Sequence, residues 1–456
     1  MSDEGLRASI EKMRAEGVAD VAIRAFEHYY RQLEAGETGL IPEDSIEAVT
    51  DLPALDDLPH DRDAEREALQ KAIVLRLNGG LGTSMGLSKA KSLLEAKDGL
   101  SFLDIIARQV LALREANDAR IPLVLMDSFS TREDSLQALK RYPDLDIGIP
   151  MDFVQSKEPK LLVDDLTPVE WPDNPALEWC PPGHGDLYPS IVASGMLKDL
   201  LDRGFEYAFV ANSDNLGAVV DPRILAWMRA ERIPFLMEVT VRTEADRKGG
   251  HLARRKSDGR LVLRETAQTP DEDLKSLQDL SKHRYANTNN LWIDLRALDA
   301  AMRERDGVLG LPMIRNQKTV DPADKSSPAV YQLETAMGAA IEVFEGAQAI
   351  EVPRTRFAPV KTTDDLLALR SDAYRLTDDA RVELARDTVP VITLDPDYYK
   401  LLDDFEARFP KGPPSLIEAD RLEVEGDVRF GAGVVIRGSV KLRGPDTIED
   451  GAVLEG

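Results

Sequence analysis

The sequence is poor in cysteine and in long apolar runs. Cys180 is the only cysteine among 456 residues, so no internal disulfide can form and a zinc site built from several cysteines is excluded. No uninterrupted apolar run approaches the roughly 20 residues that a membrane-spanning helix needs. The charged N-terminal segment also lacks the apolar stretch of a secretory signal. We therefore expect a cytoplasmic protein that does not cross a membrane.

Basic residues are also scarce. The chain has 57 lysines and arginines against 82 aspartates and glutamates, which gives a formal net charge of −25. Such a charge repels nucleic acids and anionic membrane surfaces over long range. We expect neither as a partner, and any small anionic ligand must be held by a local group of positive side chains.

The length predicts two or three domains, because a single hydrophobic core stops growing below this size. Near the N-terminus, Ile23, Phe26 and Tyr30 have the spacing of one helix face. From Ile41 to about Glu65, acidic residues and prolines predict an irregular surface connection. We assign residues 1–65 to an N-terminal helical region with a linker.

Residues 66–375 have the pattern of an α/β domain. Short apolar runs alternate with helical stretches, and examples are AIVLRL, IPLVLM, YAFVA and FLMEVTV. These runs lack the polar alternation of half-exposed strands. A central mixed sheet with helices on both faces is therefore the simplest arrangement.

Residues 376–456 contain a six-residue repeat. Apolar residues hold one phase of the repeat and small residues hold a second phase. The positions are Leu422, Val428, Val434 and Val440 for the first phase and Gly426, Ala432, Gly438 and Gly444 for the second. This pattern is typical of a parallel β-helix built from hexapeptides, and the alternative is chance alternation in ordinary strands.

A glycine-rich loop follows the first apolar run of the α/β region. The loop contains Gly79, Gly80, Gly82 and Gly86 and leads to Lys91. Its spacing fails both the dinucleotide fingerprint and the P-loop pattern. Glycines let a backbone approach phosphate or a base edge closely, so a loop of this type that ends in a lysine suits a nucleoside triphosphate. An ordinary strand-to-helix turn is the alternative, but it seldom needs four glycines.

Four further segments carry candidate binding residues. Asp214 follows an apolar run and could hold Mg²⁺ against phosphate, although a surface turn is equally compatible. His184 lies in PPGHGDLY, and its imidazole can donate or accept a hydrogen bond. NTNN precedes a predicted strand and offers amides to sugar hydroxyls, or else forms a capping turn. Lys361 precedes a helix with a predicted N-cap at Thr362 or Thr363, a location that suits an anion.

Nine segments follow one another in an order that is informative as a set. They are LNGGLGTSMG, PLVLMDSF, PPGHGDLY, NSDNLGAVVD, MEVTVRTEADRKGG, NTNNLWI, QLETAMGAAI, VPRTRFAPVKTTDDLL and GDVRFGAGVVIRGSV. Together they resemble UDP-glucose pyrophosphorylase of the eukaryotic type. The resemblance implies a Rossmann-like nucleotidyltransferase domain and a C-terminal left-handed parallel β-helix. It also implies a Mg²⁺-dependent enzyme that joins UTP to glucose 1-phosphate and releases diphosphate.

The resemblance further implies which residues bind the substrates. For the nucleotide, the matching positions are Leu77, Asn78, Gly79, Gly80, Lys91, Gln155, Gly183, Asn212, Ser213, Asp214 and Lys361. For the sugar phosphate, they are Gly79, Gly80, His184 and Asn289. Lys361 matches the catalytic lysine of the family, and we expect Lys91 to act with it on the phosphates. Gln155 matches the uracil-binding glutamine, and Asp214 matches the metal-binding segment.

One motif departs from the family pattern. The family usually has Gly-Pro-Lys-Ser where this chain has Lys89-Ala90-Lys91-Ser92.

Two alternative functions can be compared with this one. A pyrophosphorylase for N-acetylhexosamine 1-phosphates shares the fold, but NTNNLW and GHGDLY favour glucose. Retention of Lys91, Asp214 and Lys361 argues against a non-catalytic nucleotide-sugar-binding scaffold. We expect a monomer or a weak homo-oligomer that associates through the β-helix.

Overall fold

The structure is a computed structural model that describes residues 2–456. The α-helices in chain order are α1 (Ser2–Ala15), α2 (Asp20–Glu34), α3 (Arg62–Leu69), α4 (Phe102–Asn117), α5 (Arg132–Leu139), α6 (Leu187–Ala193), α7 (Met196–Asp202), α8 (Pro222–Glu231), α9 (Leu274–Leu277), α10 (Leu295–Glu304), α11 (Thr363–Arg370), α12 (Pro396–Tyr399) and α13 (Leu402–Arg408). The strands are β1 (Ile46–Ala48), β2 (Ala72–Asn78), β3 (Glu95–Lys97), β4 (Leu100–Ser101), β5 (Leu123–Asp127), β6 (Asp152–Val154), β7 (Glu158–Pro159), β8 (Leu161–Leu162), β9 (Trp179–Cys180), β10 (Tyr207–Asn212), β11 (Phe235–Val241), β12 (His251–Arg255), β13 (Leu261–Arg264), β14 (Tyr285–Asp294), β15 (Met313–Thr319), β16 (Ala329–Thr335), β17 (Gln348–Glu351), β18 (Tyr374–Leu376), β19 (Val382–Leu384), β20 (Val391–Leu394), β21 (Ser415–Glu425), β22 (Val428–Phe430), β23 (Val435–Arg443), β24 (Asp446–Ile448) and β25 (Val453–Glu455).

A ten-stranded mixed sheet forms the centre of the fold. Its main order is β1-β12-β14-β10-β2-β5-β6, with β11 and β17 attached through β14 and with β13 attached to β12. Strands β10, β2, β5 and β6 are parallel, whereas β14 runs antiparallel to β10. The carboxyl ends of the four parallel strands therefore share one edge, where open α/β sheets bind their ligands.

Both faces of this sheet are buried, as the sequence predicts. Within β2, Val74 packs in a cluster with α4, whereas Ile73 and Leu75 pack in a second cluster with α6 and α7. Because successive strand residues point to opposite faces, each apolar run supplies two cores at once. Burial on both faces explains why the runs show no polar alternation.

The N-terminal helices form a separate apolar contact with the rest of the chain. Ile23, Phe26 and Tyr30 of α2 are buried in a cluster that also contains Leu161 of β8 and Leu333 of β16. The helix-face spacing in the sequence thus corresponds to a packed face. The interpretation of residues 41–65 as wholly irregular is wrong, because β1 pairs with β12 and α3 begins at Arg62. The three residues of β1 are too few to give a periodic pattern.

The C-terminal strands pair in parallel along the repeat. Strand β21 lies between β20 and β23, and β23 pairs with β25. Paired residues such as Arg437 and Glu455 are 18 positions apart, or three units of six. The first-phase residues Leu422, Val428 and Val434 are fully buried. The six-residue repeat therefore corresponds to stacked parallel strands with the apolar phase inside.

Within residues 2–456, no α-helix combines the length and the apolar character that are needed to span a bilayer.

Candidate active site

The glycine loop leaves the sheet at the carboxyl end of β2. Gly82 and Gly86 have φ angles of 65° and 78°, which side-chain-bearing residues rarely adopt. A Cβ atom on Gly79 would lie 2.8 Å from Oε1 of Gln155, whereas a Cβ on Gly80 would meet no atom of the described residues within 4 Å. Gly79 thus lies against the predicted uracil-binding glutamine, and Gly80 faces open space that a ligand can enter.

The end of the glycine loop has an alanine where the family pattern has a proline. Ala90 has a φ of −53°, which lies within the range that a proline ring imposes. The amide N–H of Lys91 donates to the carbonyl of Gly80 at 3.0 Å and closes the loop. Ala90 therefore has a φ angle that a proline could also adopt, and Lys91 begins a short 3₁₀ turn with its side chain on Asp214.

The side chain of Asn78 lies inside the fold. Its amide donates to Oδ1 of Asp127 at 2.6 Å and to Oγ of Ser135 at 2.8 Å, and the residue is 2% exposed. Burial raises the pKa of Asp127 to about 6. Asn78 thus joins β2 to β5, and only its backbone can contribute to a ligand site. Leu77 also acts through its backbone, since its carbonyl accepts the N–H of Ser213 at 3.1 Å.

Lys91 and Asp214 form an ion pair between the glycine loop and the segment after β10. Nζ of Lys91 lies 2.7 Å from Oδ2 of Asp214, and both side chains are mostly buried. Among the described residues, Oδ1 of Asp214 and Oγ of Ser213 are buried without a hydrogen-bond partner. One carboxylate oxygen of Asp214 thus has no hydrogen-bond partner within residues 2–456, while the other is held by a lysine.

The backbone just before Lys361 is hydrogen-bonded to the segment that contains Asp214. The N–H of Val360 donates to the carbonyl of Asp214 at 3.1 Å, and Pro359 forms a β-bridge with Asn215. Oδ2 of Asp365 accepts the N–H groups of Lys361 and Thr362 at 2.7 and 2.9 Å, which confirms the predicted N-cap at Thr362. Lys361 itself is exposed at the N-terminal end of α11.

A buried arginine supports the segment around Asp214 from behind. Arg76 of β2 is 2% exposed, and its guanidinium donates to the carbonyls of Asn212, Asn215 and Ala218. Burial and the nearby Arg356 lower the pKa of Arg76 to about 9. The sequence reading missed this residue, because a charged residue inside an apolar run carries no local sign of the carbonyls that it meets.

His184 is oriented by one backbone hydrogen bond. The N–H of Met337 donates to Nδ1 of His184 at 2.9 Å, and burial lowers the pKa of the imidazole to about 4. A neutral ring that accepts at Nδ1 carries its proton on Nε2 and can donate there. Gly183 has a φ of 78°, and a Cβ on it would lie 2.6 Å from the carbonyl oxygen of Thr335, so only glycine allows this approach.

The NTNN segment lies within β14 and does not precede the strand. Met237 pairs with Leu291 and Val239 with Asn287, so three residues of β14 stand opposite one residue of β11 in a bulge. Asn289, at the centre of the bulge, has a φ of 57° and exchanges hydrogen bonds of 2.9 Å with the side chain of Asn287. The bulge leaves Asn289 partly exposed, whereas its neighbours are buried.

Glu265 is a second residue that the sequence reading missed. Burial raises the pKa of its carboxyl group, and the positive charge of Lys361 and a hydrogen bond from Asn287 partly offset that rise. A Cβ on Gly250 would lie 2.5 Å from the carboxyl carbon of Glu265. The carboxyl group is thus placed between the predicted sugar-binding bulge and the predicted catalytic lysine by residues far apart in sequence.

Asp214 has one carboxylate oxygen without a hydrogen-bond partner among the described residues. No group of three or more histidine, cysteine, aspartate or glutamate side chains within residues 2–456 is arranged to hold a metal ion. The unpartnered Oδ1 of Asp214 is the available oxygen. Mg²⁺ commonly uses one or two carboxylates and takes its other ligands from water and phosphate, so the site fits this ion.

Comparisons with known proteins agree with this geometry. The family model for UTP–glucose-1-phosphate uridylyltransferase matches residues 23–437. A protein of that name from Hordeum vulgare is 43% identical over 408 residues, which cover 87% of this chain and 83% of that one. UDP-glucose pyrophosphorylase from Leishmania major, solved in open and closed structures, is 48% identical with a TM-score of 0.93 over 99% of this chain and 98% of that one. A variant of the same Leishmania enzyme in complex with UDP-glucose has a TM-score of 0.92 at 48% identity over the same shares. The chain therefore belongs to the UTP–glucose-1-phosphate uridylyltransferase family.

Proposed function

We propose that the protein transfers UMP from UTP to glucose 1-phosphate and thereby forms UDP-glucose and diphosphate. Relatives that match most of the chain carry the name of this activity. The main support for the proposal is one observation. Lys91, Asp214 and the backbone just before Lys361 lie together at the carboxyl edge of the parallel strands. This edge is where an open α/β sheet binds its ligand.

The nucleotide binds along the glycine loop. The side-chain amide of Gln155 pairs with the uracil ring next to Gly79, and the backbones of Leu77, Asn78 and Gly80 follow the nucleotide. Gly183 offers a backbone contact from the opposite side, and Asn212 and Ser213 complete the site beside Asp214. The close packing of Gly79 on Gln155 supports this arrangement, because it leaves the glutamine amide beside the loop entrance.

The sugar phosphate binds between His184 and Asn289. The Nε2–H group of His184 donates to a phosphate oxygen, and the amide of Asn289 pairs with sugar hydroxyls. Support for the first contact comes from the hydrogen bond at Nδ1, which leaves the proton on Nε2. Because the imidazole of His184 is neutral, burying it requires no carboxylate partner.

In the reaction, a phosphate oxygen of glucose 1-phosphate forms a bond to the α-phosphorus of UTP, and the bond to diphosphate breaks on the opposite side. No general base is needed, because the attacking oxygen is already anionic. The barrier arises from bringing two polyanions together, so positioning and positive charge supply the catalysis. Lys361 and Lys91 provide ammonium groups for the developing charge on the phosphates.

Asp214 would hold Mg²⁺ through Oδ1. The ion would neutralise charge on the phosphate oxygens of the nucleotide. With Oδ1 occupied, the ammonium of Lys91 can stay on Oδ2 or move to a phosphate oxygen. The support for this assignment is the unpartnered carboxylate oxygen at the end of β10, within the described part of the chain.

The domain organisation also belongs to this proposal. We divide the chain at residues 65 and 375 into an N-terminal region, a Rossmann-like catalytic domain and a left-handed parallel β-helix. The 18-residue spacing of the C-terminal strands supports the β-helix, because a coil of three hexapeptides has this length. A cytoplasmic location and a monomer or weak homo-oligomer remain predictions.

A panel of sugar 1-phosphates tests the proposed reaction. Purified protein is incubated with UTP, Mg²⁺ and one sugar 1-phosphate at a time, and both diphosphate and the nucleotide sugar are measured. We expect equal amounts of UDP-glucose and diphosphate with glucose 1-phosphate. A strong preference for N-acetylglucosamine 1-phosphate, or UTP binding without diphosphate release from any sugar phosphate, would overturn the proposal.

A further inference from the structure

Lys97 is a buried lysine whose ammonium group contacts the end of α11. It is 5% exposed, and its Nζ donates to the carbonyls of Leu369 at 3.2 Å and Ser371 at 2.8 Å, with that of Arg370 at 3.5 Å. The last carbonyls of a helix lack partners within the helix and carry its negative partial charge, so a cation is favourable there. Burying an ammonium group is nevertheless costly.

A second contact joins the same two elements, with the donor side chain on α11 and the acceptor on β3. The guanidinium of Arg370, at the end of α11, donates to the carbonyl of Glu95 at 3.1 and 2.8 Å. Glu95 and Lys97 are the two ends of β3. The last turn of α11 is therefore attached to β3 by cationic side chains from both elements.

These contacts lie between the two proposed catalytic lysines. Lys91 belongs to the 3₁₀ turn just before β3, and Lys361 stands just before α11. On the other side, Lys91 binds Asp214, whose carbonyl accepts the N–H of Val360. The chain segments thus form a closed series of contacts from Lys91 through Asp214 to Lys361, along α11 to Lys97, and back along β3.

We propose that Lys97 is a positioning residue that sets the separation of the Lys91 and Lys361 ammonium groups. This inference depends on the proposed function. Lys97 touches no substrate and acts through α11 and β3. An apolar side chain would fill the same space without the cost of a buried charge, so the ammonium serves to fix the helix end at one distance from the glycine loop. A shift of about 1 Å in catalytic groups can cost about 100-fold in rate.

The test compares two buried lysines. Lys160 is 4% exposed and donates to the carbonyl of Val320 at 2.9 Å, outside this series of contacts. Lys97→Met and Lys160→Met therefore remove the same kind of group. We expect Lys97→Met to lower kcat by about tenfold or more with the KM for UTP within about threefold, and Lys160→Met to leave kcat within about twofold.

A double-mutant cycle separates positioning from a general loss of stability. In a Lys361→Ala background, Lys97→Met should change kcat by less than about twofold, because the group that it positions is gone. Arg370→Met removes the second contact and should show the same dependence on Lys361 if Lys97→Met does not fold. Equal kcat losses in Lys97→Met and Lys160→Met, or full additivity with Lys361→Ala, would overturn the inference. An inactive wild-type protein would overturn the proposed function as well.

Discussion

The ammonium group of Lys91 lies 2.7 Å from Oδ2 of Asp214, although 123 positions separate the two residues. The residue implied to contact the triphosphate thus forms an ion pair with the residue implied to hold the metal. Oδ1 of Asp214 is buried and has no hydrogen-bond partner among the described residues. The pair therefore holds the glycine loop against the segment that follows β10.

Removing the charge of Asp214 tests its role toward the metal. For Asp214→Asn, we expect the Mg²⁺ concentration that gives half-maximal activity to rise about tenfold or more, because an amide oxygen is a weaker ligand than a carboxylate. Lys91→Met is the companion variant. It should lower kcat, by about 100-fold or more, and leave the Mg²⁺ requirement nearly unchanged. Steady-state rates across a Mg²⁺ series measure both, and an unchanged Mg²⁺ requirement in Asp214→Asn would contradict the assignment.

Gly80 tests the path of the nucleotide. A Cβ at this position meets no atom within 4 Å in the described part of the chain, so Gly80→Ala should leave the melting temperature unchanged. The same methyl group would stand where the backbone approaches the nucleotide, and we expect the KM for UTP to rise about tenfold or more. Gly183→Ala provides the contrast, because its Cβ meets the backbone of Thr335 and should lower the melting temperature too. Normal UTP affinity in Gly80→Ala would exclude the loop as the nucleotide site.

The imidazole of His184 should stay neutral throughout the physiological range. Burial lowers its pKa to about 4, and the Met337 N–H holds Nδ1 as an acceptor. Long-range proton–nitrogen spectra should show the Nε2–H tautomer between pH 5.5 and 8, with the signal assigned by its loss in His184→Gln. A charged ring at pH 6, or a proton on Nδ1, would contradict the role of His184 as a neutral donor.

Asp186 should make stability depend on pH. Burial raises the pKa of its carboxyl group to about 7 from an ordinary value of 3.8, against hydrogen bonds from Ser190 and Ser156 that lower it. The folded protein then binds more protons than the unfolded chain between about pH 4 and 7, so the free energy of unfolding falls as the pH rises through this range. Asp186→Asn removes this pH-dependent fall in the free energy of unfolding.

We therefore expect the melting temperature of Asp186→Asn, relative to wild type, to be higher at pH 8 than at pH 5. Asp173→Asn, at an exposed position, serves as the control and should show no such change. A constant difference between Asp186→Asn and wild type across this range would show that the carboxyl group ionises as it does in the unfolded chain.

Local patterns predicted much of the fold. The apolar runs correspond to β2, β5, β10 and β11, and the six-residue phase corresponds to buried positions in the C-terminal strands. Each of these features depends on residues that are close together in one element, so its position can be recognised from the local sequence. The predicted N-cap at Thr362 is of the same kind.

Features that depend on distant pairing could not be predicted in this way. The sequence gives no sign that the side chain of Asn78 turns inward to Asp127, that Arg76 meets three carbonyls, or that Glu265 faces Asn287. The bulge at Asn289 arises from the register between β14 and β11, which only the assembled sheet determines. Resemblance identified candidate residues, and the structure adds which atoms they can offer.

The most direct measurement is the turnover of Lys361→Ala with UTP, glucose 1-phosphate and Mg²⁺, with Lys275→Ala as an exposed-lysine control. If Lys361 supplies positive charge to the transition state, kcat falls by about 100- to 1000-fold while the melting temperature stays near that of wild type. Near-wild-type turnover in Lys361→Ala would contradict the proposed mechanism.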